Sequence, residues 1–268
     1  MAGADEKPTP RPVALQLYTL RQEADADLAG VLARVAEIGY VGLEPFAVAK
    51  HGAARLRRLA DQVGLQFCSA HMPLPSGPEA GRILDDLAEL GTDVIFVSGK
   101  REQFSSKEGV ERLAEAFSAG VEAAAARGVR VGYHNHWWEF SNSFDGQVAY
   151  DYFLASLGAE VPLEVDTYWV QAGGADPAAT VGRLGARVSH LHVKDGPAVP
   201  GEAQVAVGEG KVDVAGVLGA NEAVAWHIVE LDSCEGDTFE VVRASYDYLV
   251  SAGLSSGNRV PGTRGLPR

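Results

Sequence analysis

Along this chain, apolar runs of alternating parity are followed again and again by apolar residues at helical spacing. Val13 to Tyr18 alternates as a strand does; then Leu28, Val31, Leu32, Val35 and Ile38 recur on one helical face between Asp27 and Ile38, and Gly39 ends the run. The unit repeats. Val41 to Glu44 leads into a helix over 53–63, Leu65 to His71 into one over 79–90, and Val94 to Ser98 into one over 107–127, with Gly64, Gly91 and Gly128 at the helix ends. After the segment Val131 to Phe140 come a helix over 147–157, the strand Val161 to Asp166, a helix over 176–184, the strand Val188 to Lys194 and a short helix over 214–218. The strand Trp226 to Leu231 and a helix over 239–250 close the series. Strand and helix alternating about eight times predict a parallel sheet closed into a (β/α)8 TIM barrel, an α/β fold in a single domain. The barrel is expected over 13–253, with a flexible N-terminal tail over 1–12 and a C-terminal tail over 254–268. A doubly wound open sheet is the alternative, but the first strand reads Gln16-Leu17-Tyr18-Thr19-Leu20 where a dinucleotide turn needs glycines.

Composition narrows the partners. With 46% hydrophobic and 22% charged residues, 268 residues suffice for one large core. A formal net charge of -13 argues against nucleic acid, because phosphate binding draws on clustered Lys and Arg. Arg55, Arg57 and Arg58 alternate with Leu56 and Leu59 as the solvated face of a helix. No stretch approaches the roughly 20 apolar residues of a membrane span. Met1 to Pro12 lacks the apolar segment of a secretory signal, and Cys68 and Cys234 form no CxxC pair, which together predict a cytoplasmic protein. A homo-oligomer is left open.

The chemistry gathers where strands end. Val129 and Val131 lead into Gly132, His134 and His136 of opposite parity, so an extended segment there sends both imidazoles to one face. In Val161 to Asp166 the lumen parity falls on Glu164 and Asp166, in Val188 to Lys194 on His190, His192 and Lys194, and in Trp226 to Asp232 on Ile228, Glu230 and Asp232. Other strands end in Gln16 and Tyr18, in Glu44 and in His71. Buried carboxylates call for an opposite charge. Asp166, His192 and Glu230, with Glu139 just past the fifth strand, make a set of three oxygens and one nitrogen suited to one divalent metal ion: Mn²⁺ first, with Mg²⁺, Co²⁺ and Zn²⁺ as alternatives. A self-satisfied polar network is the competing account. Deeper in the lumen, Arg130 and Glu164 are expected to pair as scaffold and His190 to be structural.

Tyr-His-Asn-His-Trp-Trp-Glu-Phe (133 to 140), Glu-Val-Asp-Thr-Tyr-Trp (164 to 169), His-Leu-His-Val-Lys-Asp (190 to 195), Gly-Glu-Gly-Lys-Val-Asp (208 to 213) and Ile-Val-Glu-Leu-Asp (228 to 232) together resemble the xylose isomerase-like barrel superfamily. Within it, the match is to the sugar phosphate isomerases/epimerases, in register from about Gln16 to Leu249. The resemblance implies one divalent metal held by Glu, Asp, His and Glu from the fifth to eighth strands. It carries the last three roles to Asp166, His192 and Glu230; the first falls to Glu139, or to a histidine in its place. It also implies proton transfer next to a sugar carbonyl through an enediolate, with Glu139 and Glu230 as acid and base and His136 and Lys194 moving protons or polarising the carbonyl. Gln16, Tyr18, Glu44, His71, His134, Trp138 and Trp169 are expected to bind a small sugar or sugar derivative. Trp169 stands where many relatives carry Gly-His, and it opens a second outcome, a lyase eliminating the aglycone of 3-keto glycosides or C-glycosides. A barrel that binds sugar without turnover is the alternative of another class. A DNA endonuclease on this fold would need more metal histidines and a basic face.

Overall fold

The computed structural model describes residues 10–259. Its strands in chain order are β1 (Arg11–Gln16), β2 (Gly42–Glu44), β3 (Gln66–Phe67), β4 (Ala70–His71), β5 (Val94–Ser98), β6 (Arg130–His134), β7 (Ser143–Phe144), β8 (Gln147–Val148), β9 (Leu163–Asp166), β10 (Val188–Val193), β11 (Trp226–Val229) and β12 (Ser255–Ser256). β7 and β8 form a separate hairpin, and β12 pairs with the start of β1. The other nine run parallel in the order β3-β2-β1-β11-β10-β9-β6-β5-β4. β3 and β4 are successive pieces of one stretch, parted at Cys68 and Ser69, so the order begins and ends in the same part of the chain. The sheet thus closes into the TIM barrel expected from the alternation, with the helices outside. Among the described residues no helix is long and apolar enough to cross a membrane.

Several boundaries move, each for a local reason. The first strand ends at Gln16 rather than Tyr18, because the Gln16 side chain accepts the Tyr18 N–H at 3.1 Å and opens a 3-10 turn over Leu17–Leu20. The first helix begins at Arg21, and the expected start, Asp27, is a break inside it (φ -147°, ψ 81°) whose carboxylate caps Gly30 N–H at 3.0 Å. Arg11 and Pro12 already belong to β1 and Ser255–Ser256 to β12, so both expected tails give up residues to the sheet; residues 1–9 and 260–268 lie outside the described ones. The helix over Ala53–Val63 and the strand Val94–Ser98 fall where the periodicity puts them. Gly64 and Gly91 end their helices in the left-handed conformation at φ 74° and 77°, which a side chain would strain.

Parity decides what fills the lumen. Val13, Leu15, Val131, Val165, Leu191 and Val193 pack in the core between sheet and helices. The alternate positions face inward, and in the N-terminal half of the lumen most are apolar or small, with His190 and Glu164 the polar exceptions. Ala14, Cys68 and Ile228 form a separate cluster against Trp226, and Phe96 meets the His190 ring edge-on at 4.9 Å. Gly42 and Gly132 leave room for these larger neighbours: a Cβ on Gly132 would lie 2.4 Å from the Phe96 ring and 2.6 Å from the Pro162 carbonyl oxygen. One step further along each strand the inward residue is polar: Gln16, Glu44, His71, Ser98, His134, Asp166, His192 and Glu230. Gly132→Ala should therefore destabilise the fold by roughly 1–3 kcal/mol through overpacking, or about 2–4 °C of melting temperature per kcal/mol, as read by thermal or urea unfolding; an unchanged melt would show that the lumen yields at Phe96.

Candidate active site

The motif Tyr133-His134-Asn135-His136 is divided by parity into different tasks. Asn135 extends the ladder between β6 and β9, donating to the Asp166 carbonyl at 3.2 Å and accepting the Asp166 N–H at 3.1 Å. Asp166 in turn caps the following helix: its Oδ1 accepts Trp169 N–H at 2.9 Å, which leaves Oδ2 for the lumen. Tyr133 points outward among Phe104, Phe117 and Phe153. Its hydroxyl donates to Glu139 Oε1 at 2.8 Å, while the His136 N–H donates to Oε2 at 3.0 Å. Glu139, on the turn Trp138–Ser141, is thus fully buried on the helix side, and burial pushes its pKa up to about 8.

Inside the lumen, imidazoles and carboxylates alternate. Glu44 accepts from Gln16 Nε2 at 2.7 Å, Ser69 Oγ at 2.5 Å and His192 Nε2 at 2.7 Å. Glu164 Oε2 lies 2.6 Å from His71 Nε2 and 3.0 Å from His134 Nδ1. Both carboxylates are completely buried. Burial opposes the charge on Glu44, yet His71 and His192 hold its pKa down to about 2; burial and the Glu44 charge push Glu164 up to about 7. His192 runs against its own burial, because Glu164, Glu230 and Glu44 raise it well above the usual imidazole range. His134 goes the other way, kept neutral by burial and by His192 and His71. When Glu164 is ionised it can only accept, which puts the His134 proton on Nδ1 and turns its Nε2 lone pair to the mouth of the barrel.

At that mouth, on the C-terminal ends of the strands, Lys194 is almost fully buried with Nζ 2.8 Å from Asp166 Oδ2, 2.7 Å from Glu230 Oε2 and 2.8 Å from Asp232 Oδ2. Burial disfavours its charge, but these carboxylates raise its pKa well above normal. Glu230 also receives His192 Nδ1 at 2.7 Å, and Lys194 and His192 together hold it ionised despite burial. Asp166 is pushed up to about 6 by burial, with Lys194 and His192 opposing. Above these groups lies a cavity of about 240 Å³ lined by Gln16, Tyr18, Phe46, His71, Ser98, His134, His136, Lys194, Glu230 and Asp232. His136 stacks on Trp138 with ring centres 4.2 Å apart, and burial with the Lys194 charge lowers its pKa to about 3.

The Gly-Glu-Gly segment serves a carboxylate of the chain itself. Asp195 accepts N–H bonds from Gly196 (2.8 Å), Gly208 (2.9 Å), Gly210 (3.0 Å) and Val212 (3.1 Å), folding the loop back on the end of β10. A Cβ on Gly210 would sit 2.0 Å from Asp195 Oδ1. From this loop Gln204 reaches Asp232, donating to Oδ2 at 3.0 Å and accepting its N–H at 2.7 Å.

Residues 32–233, three quarters of the chain, match the family described as xylose isomerase-like TIM barrel. The chain belongs to this family. No curated protein matches it. Among solved structures, a sugar phosphate isomerase/epimerase from Parabacteroides distasonis is 22% identical, with a TM-score of 0.74 over 96% of this chain and 98% of that one. A D-psicose 3-epimerase solved in the presence of D-fructose shares 16% identity (TM-score 0.67; 91% and 100% covered), and a probable 3-DHS dehydratase from Bacillus anthracis shares 14% (0.67; 89% and 98%). At such identities the likeness is one of fold, and the site must be argued from its own geometry.

Within this xylose isomerase-like barrel, the ligand atoms of His134, Asp166, His192 and Glu230 converge within 4.8 Å of one another. Glu139 is absent from that group, because its two oxygens are engaged on the helix side. Of the expected sugar-binding residues, Gln16, Tyr18, His71 and His134 line the cavity, whereas Glu44 lies beneath it. Trp138 backs His136, and Trp169 lies under Lys194, whose Nζ is 5.3 Å from the ring centre. Arg130 does not pair with Glu164: it is exposed and bonds Asp93 at 3.1 Å, because it stands at the very start of β6, on the rim of the barrel away from the mouth. Phe46, Ser98, Asn135, Gln204 and the clamp at Asp195 have no role assigned from the sequence; Ser98 ends a strand and Asn135 and Asp195 stand inside the quoted motifs, whereas Phe46 and Gln204 carry no positional signal. Glu139 gives a pH test. Its native pKa near 8 exceeds 4.5, so the folded protein keeps a proton that the unfolded chain releases, and stability should fall as pH rises from about 4.5 to about 8 and level off above. Urea melts across that range should show a smaller fall for Glu139→Gln than for the parent chain.

Proposed function

We propose that the chain is a divalent-metal-dependent sugar isomerase or epimerase that moves a proton next to a carbonyl, with His134, Asp166, His192 and Glu230 as the metal ligands. The observation that carries this is the convergence of those four donors beneath a polar cavity at the C-terminal mouth of the barrel. The donor set fits a cation: the buried Asp166 and Glu230 carboxylates already draw the Lys194 ammonium to 2.8 Å and 2.7 Å, a place that demands positive charge. Two oxygens and two nitrogens suit Mn²⁺, with Co²⁺ and Zn²⁺ also compatible. When bound, such an ion supplies Lewis-acid polarisation of the substrate carbonyl and its neighbouring hydroxyl. Ligand binding by His134 depends on Glu164 holding the Nδ1 proton, and by His192 on Glu44 holding the Nε2 proton.

The remaining roles follow from which groups touch the cavity. Its volume of about 240 Å³ is below the range usual for drug-sized ligands, and its lining sets polar side chains beside the rings of Tyr18 and Phe46, which suits one sugar ring. Gln16, His71 and Asp232 would hold hydroxyls, and the Lys194 charge beside them would stabilise negative charge on the carbonyl oxygen. Glu230, held ionised, would remove the proton beside the carbonyl, and neutral His136 would carry a proton on the cavity's other wall.

One observation favours the elimination reading as a second outcome. With Glu139 turned to Tyr133, the cavity offers His136 instead of a second carboxylate from that segment, and an imidazole can pass a proton to a leaving group as well as back to carbon. A protein named an epimerase and one named a dehydratase both share this fold, and both reaction types can start from such a proton transfer.

The chain, loaded with Mn²⁺, should exchange the hydrogen next to the carbonyl of a ketose for deuterium in D₂O, followed by NMR. Aglycone release from a 3-keto glycoside would select the lyase, and failure with both substrate classes would sink the enzymatic reading. Glu230→Gln should slow exchange by about 10²–10⁴-fold. His134→Ala should weaken Mn²⁺ binding by at least about tenfold while Glu139→Gln leaves it nearly unchanged, and the reverse order by calorimetry would restore Glu139 as the ligand.

A further inference from the structure

The two histidines of the outer site also reach inward. His134 turns Nε2 toward Asp166 Oδ2 (4.0 Å) and Nδ1 toward Glu164 Oε2 (3.0 Å). His192 turns Nδ1 toward Glu230 Oε2 (2.7 Å) and Nε2 between Glu44 Oε2 (2.7 Å) and Glu164 Oε2 (3.3 Å). His71 Nε2 stands 2.6 Å from the same Glu164 oxygen. Imidazole nitrogens from β4, β6 and β10 thus focus on one carboxylate oxygen from β9, and the four ligand atoms lie within 4.8 Å of one another. The other oxygen, Glu164 Oε1, is buried with no hydrogen-bond partner. A tetrahedral ion with bonds of about 2.0–2.1 Å holds its ligands about 3.3–3.4 Å apart, so these groups need little movement to surround one.

We propose that His71, His134, Glu164 and His192 form a second, inner divalent-cation position, rich in nitrogen and suited to Zn²⁺ or a similar borderline ion. The outer position pairs two imidazoles with two carboxylates; the inner one pairs three imidazoles with one, and imidazole favours zinc over manganese or magnesium. The two positions exclude one another. A neutral imidazole has a single lone pair, its second nitrogen carrying the proton, so His134 and His192 can ligate on one edge at a time. Zinc taken at the inner position therefore turns both rings' lone pairs away from the outer one and empties it. Both positions share these histidines, but the inner one holds whether or not the chain turns over a sugar.

The test uses the full chain stripped by a chelator and titrated with Zn²⁺ or Mn²⁺ by calorimetry. His71→Asn should weaken Zn²⁺ binding at least about tenfold and leave Mn²⁺ binding nearly unchanged, with Asp166→Asn showing the opposite pattern. Crystals soaked in zinc should give an anomalous peak among His71, His134 and His192. A peak against Asp166 and Glu230, an equal loss of Zn²⁺ and Mn²⁺ affinity in His71→Asn, or both ions bound together at full occupancy overturns the proposal. If a variant does not fold, the peak in the unaltered protein decides. None of these readouts involves turnover, so their failure leaves the proposed activity standing.

Discussion

One fully buried imidazole ties the lumen together. His192 meets Glu44 through Nε2 and Glu230 through Nδ1, both at 2.7 Å, with neither ring nitrogen left to water. A barrel that packs carboxylates from β2 and β9 at one level and Asp166 and Glu230 at the next must balance their charge within the lumen, because an unpaired buried charge costs several kcal/mol. The chain does so with alternating signs. Imidazoles from β4, β6 and β10 stand among the inner carboxylates, and Lys194 stands among the outer ones. Removing any member leaves its neighbours uncompensated, so the site's chemistry and the barrel's stability share the same residues.

That shared balance shapes the electrostatics of the mouth. Glu230 is kept ionised and His136 neutral in one small cavity: burial, helped by the Lys194 charge, disfavours a charged imidazole, while Lys194 and His192 stabilise the carboxylate. Groups pushed in opposite directions side by side are what proton transfer requires. The loop over 196–212 completes the wall by an independent device. Asp195 gathers its amides, and Gln204 fixes Asp232 against Lys194, so the glycines there are explained by close approach to a carboxylate of the chain and need no phosphate.

Glu139 shows how local reading and tertiary packing part. Its place in Tyr-His-Asn-His-Trp-Trp-Glu-Phe, a few residues beyond a strand end, suits a ligand that bends back to the mouth. The helical turn at Trp138–Ser141 faces it instead to Tyr133, and the Tyr133 hydroxyl with the His136 amide satisfies both oxygens. His134, taken from the sequence as a sugar-binding group, has the lumen parity and the free nitrogen that Glu139 lacks. Arg130 repeats the lesson. It sits one position before Val131 at the strand's start, and that rim position gives it to Asp93 and solvent.

The repeating strand and helix, the glycines that stop the helices, and the side of each strand that carries Glu164, Asp166, His190, His192, Lys194 and Glu230 are legible in the chain alone. Those are periods of 2 and 3.6 residues, written locally and readable without the fold. Which of these groups meet is set by the closure of the barrel. Glu44 and His192 are 148 residues apart in the chain, and Glu164 and His71 are 93 apart. Their contact depends on closure through the split strand at Cys68 and Ser69 and on the registers between strands, which no local pattern encodes.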